Sequence, residues 1–574
     1  MNMRILLLIL ALLFAVPAAG DSLSNDLERQ GINKLTPKDL NQINTFNVLD
    51  YGAVANGTTD DAAAIRLAIT AACAASAPRR LYFPTGDYRV GDSTNTTFKY
   101  LLPITCGNIE ILGDGPENTE LLVGNAEGYY MFYSCNTVAH NLRGDCDTQI
   151  TNITYRDFKI TDDDPEAHGH GYYIIGSESL SGGTPAHGDT VTWTGGAGTV
   201  QDYDLGSDGY IRVFLTSGAF VAPEDVTDGV WSTTGSTLIG APADDEGHGI
   251  GTRNVKTVTV DNVHLADLSD EGLDFTLDSL DVFVNNVRAT GCSQLGAGGG
   301  CIAFQANSSG TISNSHLEGG TRSVTGTGSL IAIEHNNAAE PAVGGINITG
   351  VVMRETSAAA ADKVESGLKI TANSGAIDSV TLAGSVIEVD HANGDAIIVV
   401  GDNVNVTALS VSGSTIIGSS NVEPAARASL AGNTLSMDAT IASAHQGWDV
   451  VSGNMLEADN ADTILVLDTE GASATGNHFG LAANDCVRIA NSFVSVQDNT
   501  FDTCGGGAGS GHHAVLEDNS HNESIVRNNI YYNNPSGGQF YVGTGAVGVS
   551  DDANCTNHAS KGAATVCLNN ITEN

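Results

Sequence analysis

Apolar and polar residues alternate along most of this chain in short runs. An apolar-x-apolar pair is followed by Gly, Asn or Asp, and then by x-x-apolar. The pattern surrounds Asn262 (VTVDNVHL), Asn286 (VFVNNVRA), Asn314 (TISNSHL), Gly350 (NITGVVM) and Gly384 (TLAGSVI). It continues at Gly413, Gly432, Gly453, Gly476, Asp498 and Asn528, at intervals of 19 to 36 residues. Period-two alternation broken by Gly and Asn turns predicts short strands. A recurring unit of that length is one coil, which buries its apolar side only by stacking on the next. The expectation is a parallel β-solenoid. A β-sandwich has no such repeat and uses about 100 residues per domain.

Each unit also carries a second short strand reading G-apolar-x-apolar, such as Gly272-Leu273-Asp274-Phe275 or Gly367-Leu368-Lys369-Ile370. Alternate residues of a strand face opposite ways. The x positions therefore form an outward ladder: Tyr173, Gly251, Asp274, Ala303, Ala332, Lys369 and Arg488, with Gln305 and Glu334 two residues further along their strands.

The two ends and one internal stretch depart from the repeat. Phe46–Val54 predicts a strand running into a turn. Ala62–Ala75 predicts a helix, with Ile65, Leu67, Ala68, Ile69 and Ala72 available to pack and Thr59 or Asp60 available as a cap. Residues 177–243 predict a small β-rich insertion on one turn of the solenoid, between strand starts at His170 and His248. Residues 536–574 are expected to fold back as a C-terminal cap.

Composition adds the compartment and excludes partners. Residues 1–20 read as a secretory signal peptide, with Arg4 before an apolar run and small residues at 18–20; residues 21–45 are an N-terminal extension. The expected localisation is secreted, extracellular or periplasmic. The ten cysteines fall in near pairs, Cys135/Cys146, Cys292/Cys301, Cys486/Cys504 and Cys555/Cys567, with Cys73/Cys106 further apart, as disulfides of an exported chain would. The net charge is −43, with 24 Lys and Arg against 67 acids. Such a chain lacks the basic face that nucleic acid requires and is repelled by anionic lipid, so neither nucleic acid nor membrane is an expected partner. The oligomeric state is open.

FNVLDYGAVANGTTDDAAAIRLAI, YFPTGDYRV and IEILGDGPENTELL resemble the opening of the pectate-lyase-like superfamily of right-handed parallel β-helix proteins. That superfamily includes polygalacturonases, pectate lyases and phage tailspike depolymerases. The resemblance spans residues 46–125, and the coil pattern extends it to about 535. It implies an all-β right-handed parallel β-helix whose helix at 60–75 caps the open end, and a polysaccharide as substrate.

The densest chemistry lies at Asp267, Asp270, Glu271 and Asp274. Asp244-Asp245-Glu246-Gly247-His248-Gly249 lies one coil before it, and His168 and His170 one coil before that. Ser269–Phe275 resembles the G-D-D-containing strand of polygalacturonases, with Glu271 in place of the second Asp. Gly247-His248-Gly249 resembles their G-H-G but precedes the acids, and no R-I-K motif follows. Glycoside hydrolysis needs a protonated carboxyl and a second carboxyl as base or nucleophile. The expected catalytic residues are Asp270 and Asp274, with Glu271 as the alternative acid and His248 orienting substrate or a carboxyl. Three other readings stand beside this one. The acids could bind Ca2+ or simply solvate a turn. A lyase acting on a uronate glycan would use a base and a cation such as Arg253, Lys369 or Arg488. A non-catalytic adhesion protein would bind glycan in the same groove. No cofactor is required in any of them except the possible Ca2+. A second, weaker constellation is Asn460/Asp462, Asn484/Asp485/Cys486 and His512/His513. Because a groove this acidic repels polyanions, a neutral or weakly charged polysaccharide is expected.

Overall fold

The structure is a computed structural model. It describes most residues between 44 and 542 and the strands Val566–Leu568 and Ile571–Glu573; the rest of the two termini and a series of loops lie outside it. The signal peptide therefore falls outside the described residues, as do nearly all of the extension and Cys555.

The chain is a parallel β-helix. One lateral sheet has fourteen strands running from Lys99–Ile104 through Tyr129–Ser134, Gly247–Arg253, Leu273–Thr276 and Gly300–Phe304 to Phe540–Val542. The other two strands of each coil, such as Leu280–Asn285 and Arg288–Cys292, pair in parallel with their counterparts one coil away. Inward residues of all three runs merge into one continuous apolar core.

The turn between the last two strands of a coil explains the repeat. All eleven Gly, Asn and Asp positions of the pattern have positive φ, from 49° at Asn314 to 67° at Gly476. Gly adopts that conformation without steric cost, and Asn and Asp tolerate it better than other residues do. The residue after each is buried: Val263, Val287, Ser315, Val351, Ser385 and Ser414 in the first coils, then Asn433, Asn454, Asn477, Asn499 and Asn529. Asn433 Oδ1 accepts from Ser414 N, and from Asn454 onward each side-chain carbonyl accepts from the preceding coil's backbone and amide. Asn454 N and Nδ2 donate to Asn477 Oδ1 at 2.9 and 3.0 Å, and Asn477 N and Nδ2 donate to Asn499 Oδ1 at 2.9 and 2.9 Å. Each Nδ2 also donates to a strand carbonyl, as Asn477 does to Val451 O.

At the N-terminal end the helix Ala62–Ala74 packs Ala62, Ile65, Ala68, Ile69 and Ala72 onto the first coils. Leu67 does not pack; it is 60% exposed, because two positions from Ile65 is the opposite face of a helix. Asp60 Oδ1 accepts from Ala62 N, while Asp61 accepts from Val54 N and Ala55 N to hold the preceding loop. Among the described residues four disulfides join Cys73–Cys106, Cys135–Cys146, Cys292–Cys301 and Cys486–Cys504.

Two boundaries move. The insertion is a six-stranded antiparallel sheet that already includes Tyr172–Gly176, paired with Tyr210–Gly218, and runs to Ser232–Ser236. Tyr173 is thus not a rung of the outward ladder; Tyr133 takes that place, opposite Gly251. Nor do the described strands of 536–574 fold back. They continue the three parallel runs by one coil, pairing with Val515–Glu517, Ile525–Arg527 and Ile530–Tyr532.

Candidate active site

Register in the fourteen-stranded sheet assembles the site. Gly251 pairs with Tyr133 on one side and Asp274 on the other, and Ala303, Ala332 and Lys369 follow on successive coils. A second column three residues earlier runs Tyr100, Tyr130, His248. The same offset places Glu271 beside His248, consistent with the backbone bond from Gly249 N to Glu271 O at 3.1 Å. Two outward columns therefore carry Tyr, His and Glu in one and Tyr, Gly and Asp in the other.

Gly251 is what lets the columns communicate. A Cβ there would lie 2.4 Å from Tyr130 Cε1 and 2.9 Å from Tyr133 Cδ2. With only hydrogen in that place, the Tyr130 hydroxyl reaches past it and donates to Asp274 Oδ2 at 2.8 Å. The Tyr130 ring also lies flat on His248, with centroids 3.9 Å apart and planes 8° from parallel. Tyr100 and Tyr133 pack against Tyr130 from the other side. Both are buried beside the Cys135–Cys146 disulfide.

His248 sits between two acids. Its Nδ1 is 2.7 Å from Glu271 Oε2, and its Nε2 is 3.5 Å from Asp270 Oδ2. The closer contact is at ion-pair distance. Asp274, Asp270, His248 and Glu271 are 2, 6, 5 and 7% exposed. Burial by itself would raise the Glu271 pKa. The charge of His248 and hydrogen bonding with His248 and Asp270 outweigh that and hold it well below the usual carboxylate range.

All four expected residues thus meet at one place. Asp270, Glu271 and Asp274 are buried and do not project from an exposed turn. One imidazole nitrogen and two carboxylate oxygens, from His248, Asp270 and Glu271, lie within 4.8 Å of one another, close enough to hold a metal ion. His168, His170 and residues 244–246 lie outside the described residues. So do Asn460, Asp462, Asn484, His512 and His513; Asp485 begins a strand and Cys486 is a disulfide. The sequence reading missed Tyr130. Its signal was the aromatic run Tyr129-Tyr130-Met131-Phe132-Tyr133, which the insertion separates from its neighbours in space: Tyr130 and Asp274 are 144 residues apart.

Residues 45–164 match the sequence model of a family described as rhamnogalacturonase A/epimerase, pectate lyase-like. No curated protein matches the chain. Among solved structures, the mannuronan C-5 epimerase AlgE4 A-module of Azotobacter vinelandii is 14% identical. That alignment covers 88% of this chain and 100% of that one, with a TM-score of 0.38. The surface protein and adhesin PfbA of Streptococcus pneumoniae is 11% identical, covering 92% and 100%, with a TM-score of 0.39. DFA-IIIase from Arthrobacter chlorophenolicus is 13% identical, covering 84% and 94%, with a TM-score of 0.38. Likenesses this distant say nothing about chemistry. The matched N-terminal segment makes residues 45–164 similar to the pectate-lyase-like family, and the coil-by-coil parallel register is that of a parallel β-helix.

Proposed function

We propose that the chain is a carbohydrate-active enzyme that hydrolyses glycosidic bonds at the Asp270, Glu271 and Asp274 cluster. The observation that carries this reading is the burial of three carboxyls and one imidazole on the outer side of a sheet. Buried charges are expensive unless paired, and a solenoid coil has no structural need of them. Glu271 is held toward its ionised form by its neighbours, which leaves Asp270 for the role of acid: it protonates the glycosidic oxygen as the bond from the anomeric carbon breaks. Asp274, oriented by the Tyr130 hydroxyl, takes the opposite role, either attacking the anomeric carbon or drawing a proton from the water that does. His248 positions Glu271 and Asp270 through its two nitrogens.

The test is release of reducing ends from a panel of polysaccharides by the wild-type chain, Asp270→Asn and Asp274→Asn. Folded variants with wild-type rates would refute the assignment. A β-elimination reading is favoured by one feature, the phenol of Tyr130 stacked on the imidazole of His248, a pair suited to moving a proton. It predicts unsaturated products with a new near-ultraviolet absorbance, which hydrolysis does not give. Binding to glycans with no product on any substrate would instead support an adhesion role.

The four disulfides fit an oxidising compartment. Among the described residues no helix is long and apolar enough to cross a membrane. We place the working protein outside the cytoplasm, with a neutral or weakly charged polysaccharide as its partner.

A further inference from the structure

The coil that carries Asp274 also carries Arg288, on a different face. There, successive rungs place Lys159, His264, Arg288 and His316 in one column, preceded by Glu120. At about 4.8 Å per coil, four consecutive basic or imidazole side chains stand together in a chain with 24 Lys and Arg against 67 acids. The column then turns apolar at Val352 and Val386. A cavity of about 310 Å³ opens on it, lined by Asn286, Val287, Arg288, Asn314, His316 and Glu318.

The partners of these groups differ. Lys159 Nζ is 2.8 Å from Glu120 Oε1, and His316 Nε2 is 2.7 Å from Glu318 Oε1. Burial lowers the pKa of His264, and the charges of Lys159 and Arg288 lower it further against the opposing charges of Glu117 and Glu120. Arg288 is exposed and makes no ion pair among the described residues. Asn286 and Asn314 each give one N–H to a neighbouring coil, to Asn262 Oδ1 and Asn285 Oδ1, both at 3.0 Å. Among the described residues that leaves each amide with a second N–H and its carbonyl oxygen. A pocket for a bare anion would not place Glu318 in its wall, since like charges repel. A guanidinium fork beside amides and a carboxylate instead matches a sugar carrying an acid group: the fork takes the carboxylate in two parallel bonds, and the amides and Glu318 take hydroxyls.

We propose that this pocket is an accessory site for a single uronate unit of the polysaccharide, gripped by Arg288 and recognised by Asn286, Asn314 and Glu318. The proposal rests on the reading that the chain's partner is a polysaccharide, and not on which carboxyl is the acid. It also reconciles that partner with the acidic cluster. A polyuronate chain is repelled at Asp270 and Asp274, whereas an occasional acidic unit is held away from them.

The test is calorimetric titration of the full chain carrying Asp274→Asn, which prevents turnover. The probes are trimers of galacturonate, glucuronate and mannuronate, a neutral galactose trimer, and sodium sulfate. At least one uronate trimer binds this parent, and adding Arg288→Gln weakens it by about tenfold or more with the thermal midpoint unchanged. Arg288→Lys, which keeps the charge but loses the fork, falls between. No uronate binding by the parent, or equal binding by the Arg288→Gln protein, overturns the proposal. Sulfate binding as tightly as the trimers with the same dependence on Arg288 also overturns it, since the pocket would then read charge alone. Reducing-end release by the wild-type chain tests the hydrolytic reading separately, so either can fail without the other.

Discussion

From Asn433 to Asn529 the solenoid buries five asparagines, one per coil, and each repeats the bonds of the one before. Between His248 and Asp274 it buries three carboxyls and an imidazole, and the arrangement occurs on no other coil among the described residues. Both regions place polar atoms where water does not reach, but they differ in kind. The asparagines are neutral, and each joins a ladder that serves its neighbours' backbone groups. The acidic coil gathers ionisable groups that contact one another, with Tyr130 and His248 from two earlier strands closing the set. A repeated buried polar group belongs to the fold, and a buried ionisable group that occurs once is a candidate for chemistry.

That contrast breaks most sharply at the acids. Asp270→Asn or Asp274→Asn is expected to lower the rate of reducing-end release by about 10²–10⁴-fold, with a thermal midpoint equal to or above wild type. A large loss of stability instead would make the acids structural. The opposite result is expected at Asn477→Leu. It removes the acceptor for Asn454 and the donor to Val451 and Asn499. Orphaned buried groups cost about 1–3 kcal/mol each, so urea unfolding should show a loss of at least about 2 kcal/mol at unchanged specific activity.

Gly251→Ala sharpens the comparison from the backbone side. Its methyl displaces the Tyr130 ring and breaks the bond to Asp274. Activity is expected to fall by about 10–100-fold while the core, on the other face of the strand, keeps its far-ultraviolet dichroism. A titratable counterpart lies in the interior at His445. It bonds to Ser420 Oγ at 2.9 Å, and burial pushes its pKa down to about 4. The unfolded histidine titrates near 6.5, so the unfolded state binds the proton first. The stabilisation is full above pH 6.5 and is lost as pH falls from 6.5 toward 4. His445→Gln should flatten the part of the midpoint's pH dependence that lies in this window. The smallest effect is expected at Leu67→Lys, on the exposed face of the capping helix, within about 0.5 kcal/mol of wild type.

Much of the solenoid was legible because its rules are local. A turn that needs positive φ admits few residues, so Asn262 through Asn528 mark the coils along the chain. Period-two alternation assigned Asp274, Ala303, Ala332 and Lys369 to one outward column, and the register stacks them so. Tyr173 failed the same rule because its strand also alternates; only pairing shows that it joins an antiparallel sheet. The C-terminal strands failed for a related reason. Val566–Leu568 and Ile571–Glu573 lie far along the chain from their partners, and the intervening residues hide the repeat.

By itself the sequence determined the coil: the left-handed corners, the inward apolar positions, the helix over the first coils and the clustering of acids near residue 270. These follow from steric and hydrophobic preferences of residues close together in the chain. The tertiary structure alone decided which strands are neighbours across the insertion. It therefore decided that Tyr130 touches Asp274 and that His248 stands between Asp270 and Glu271. It also decided that Arg288 shares a cavity with Asn286 and Glu318. Those contacts depend on stacking register, which side-chain preferences along a strand do not encode, because a strand's alternation is the same whichever coil lies beside it.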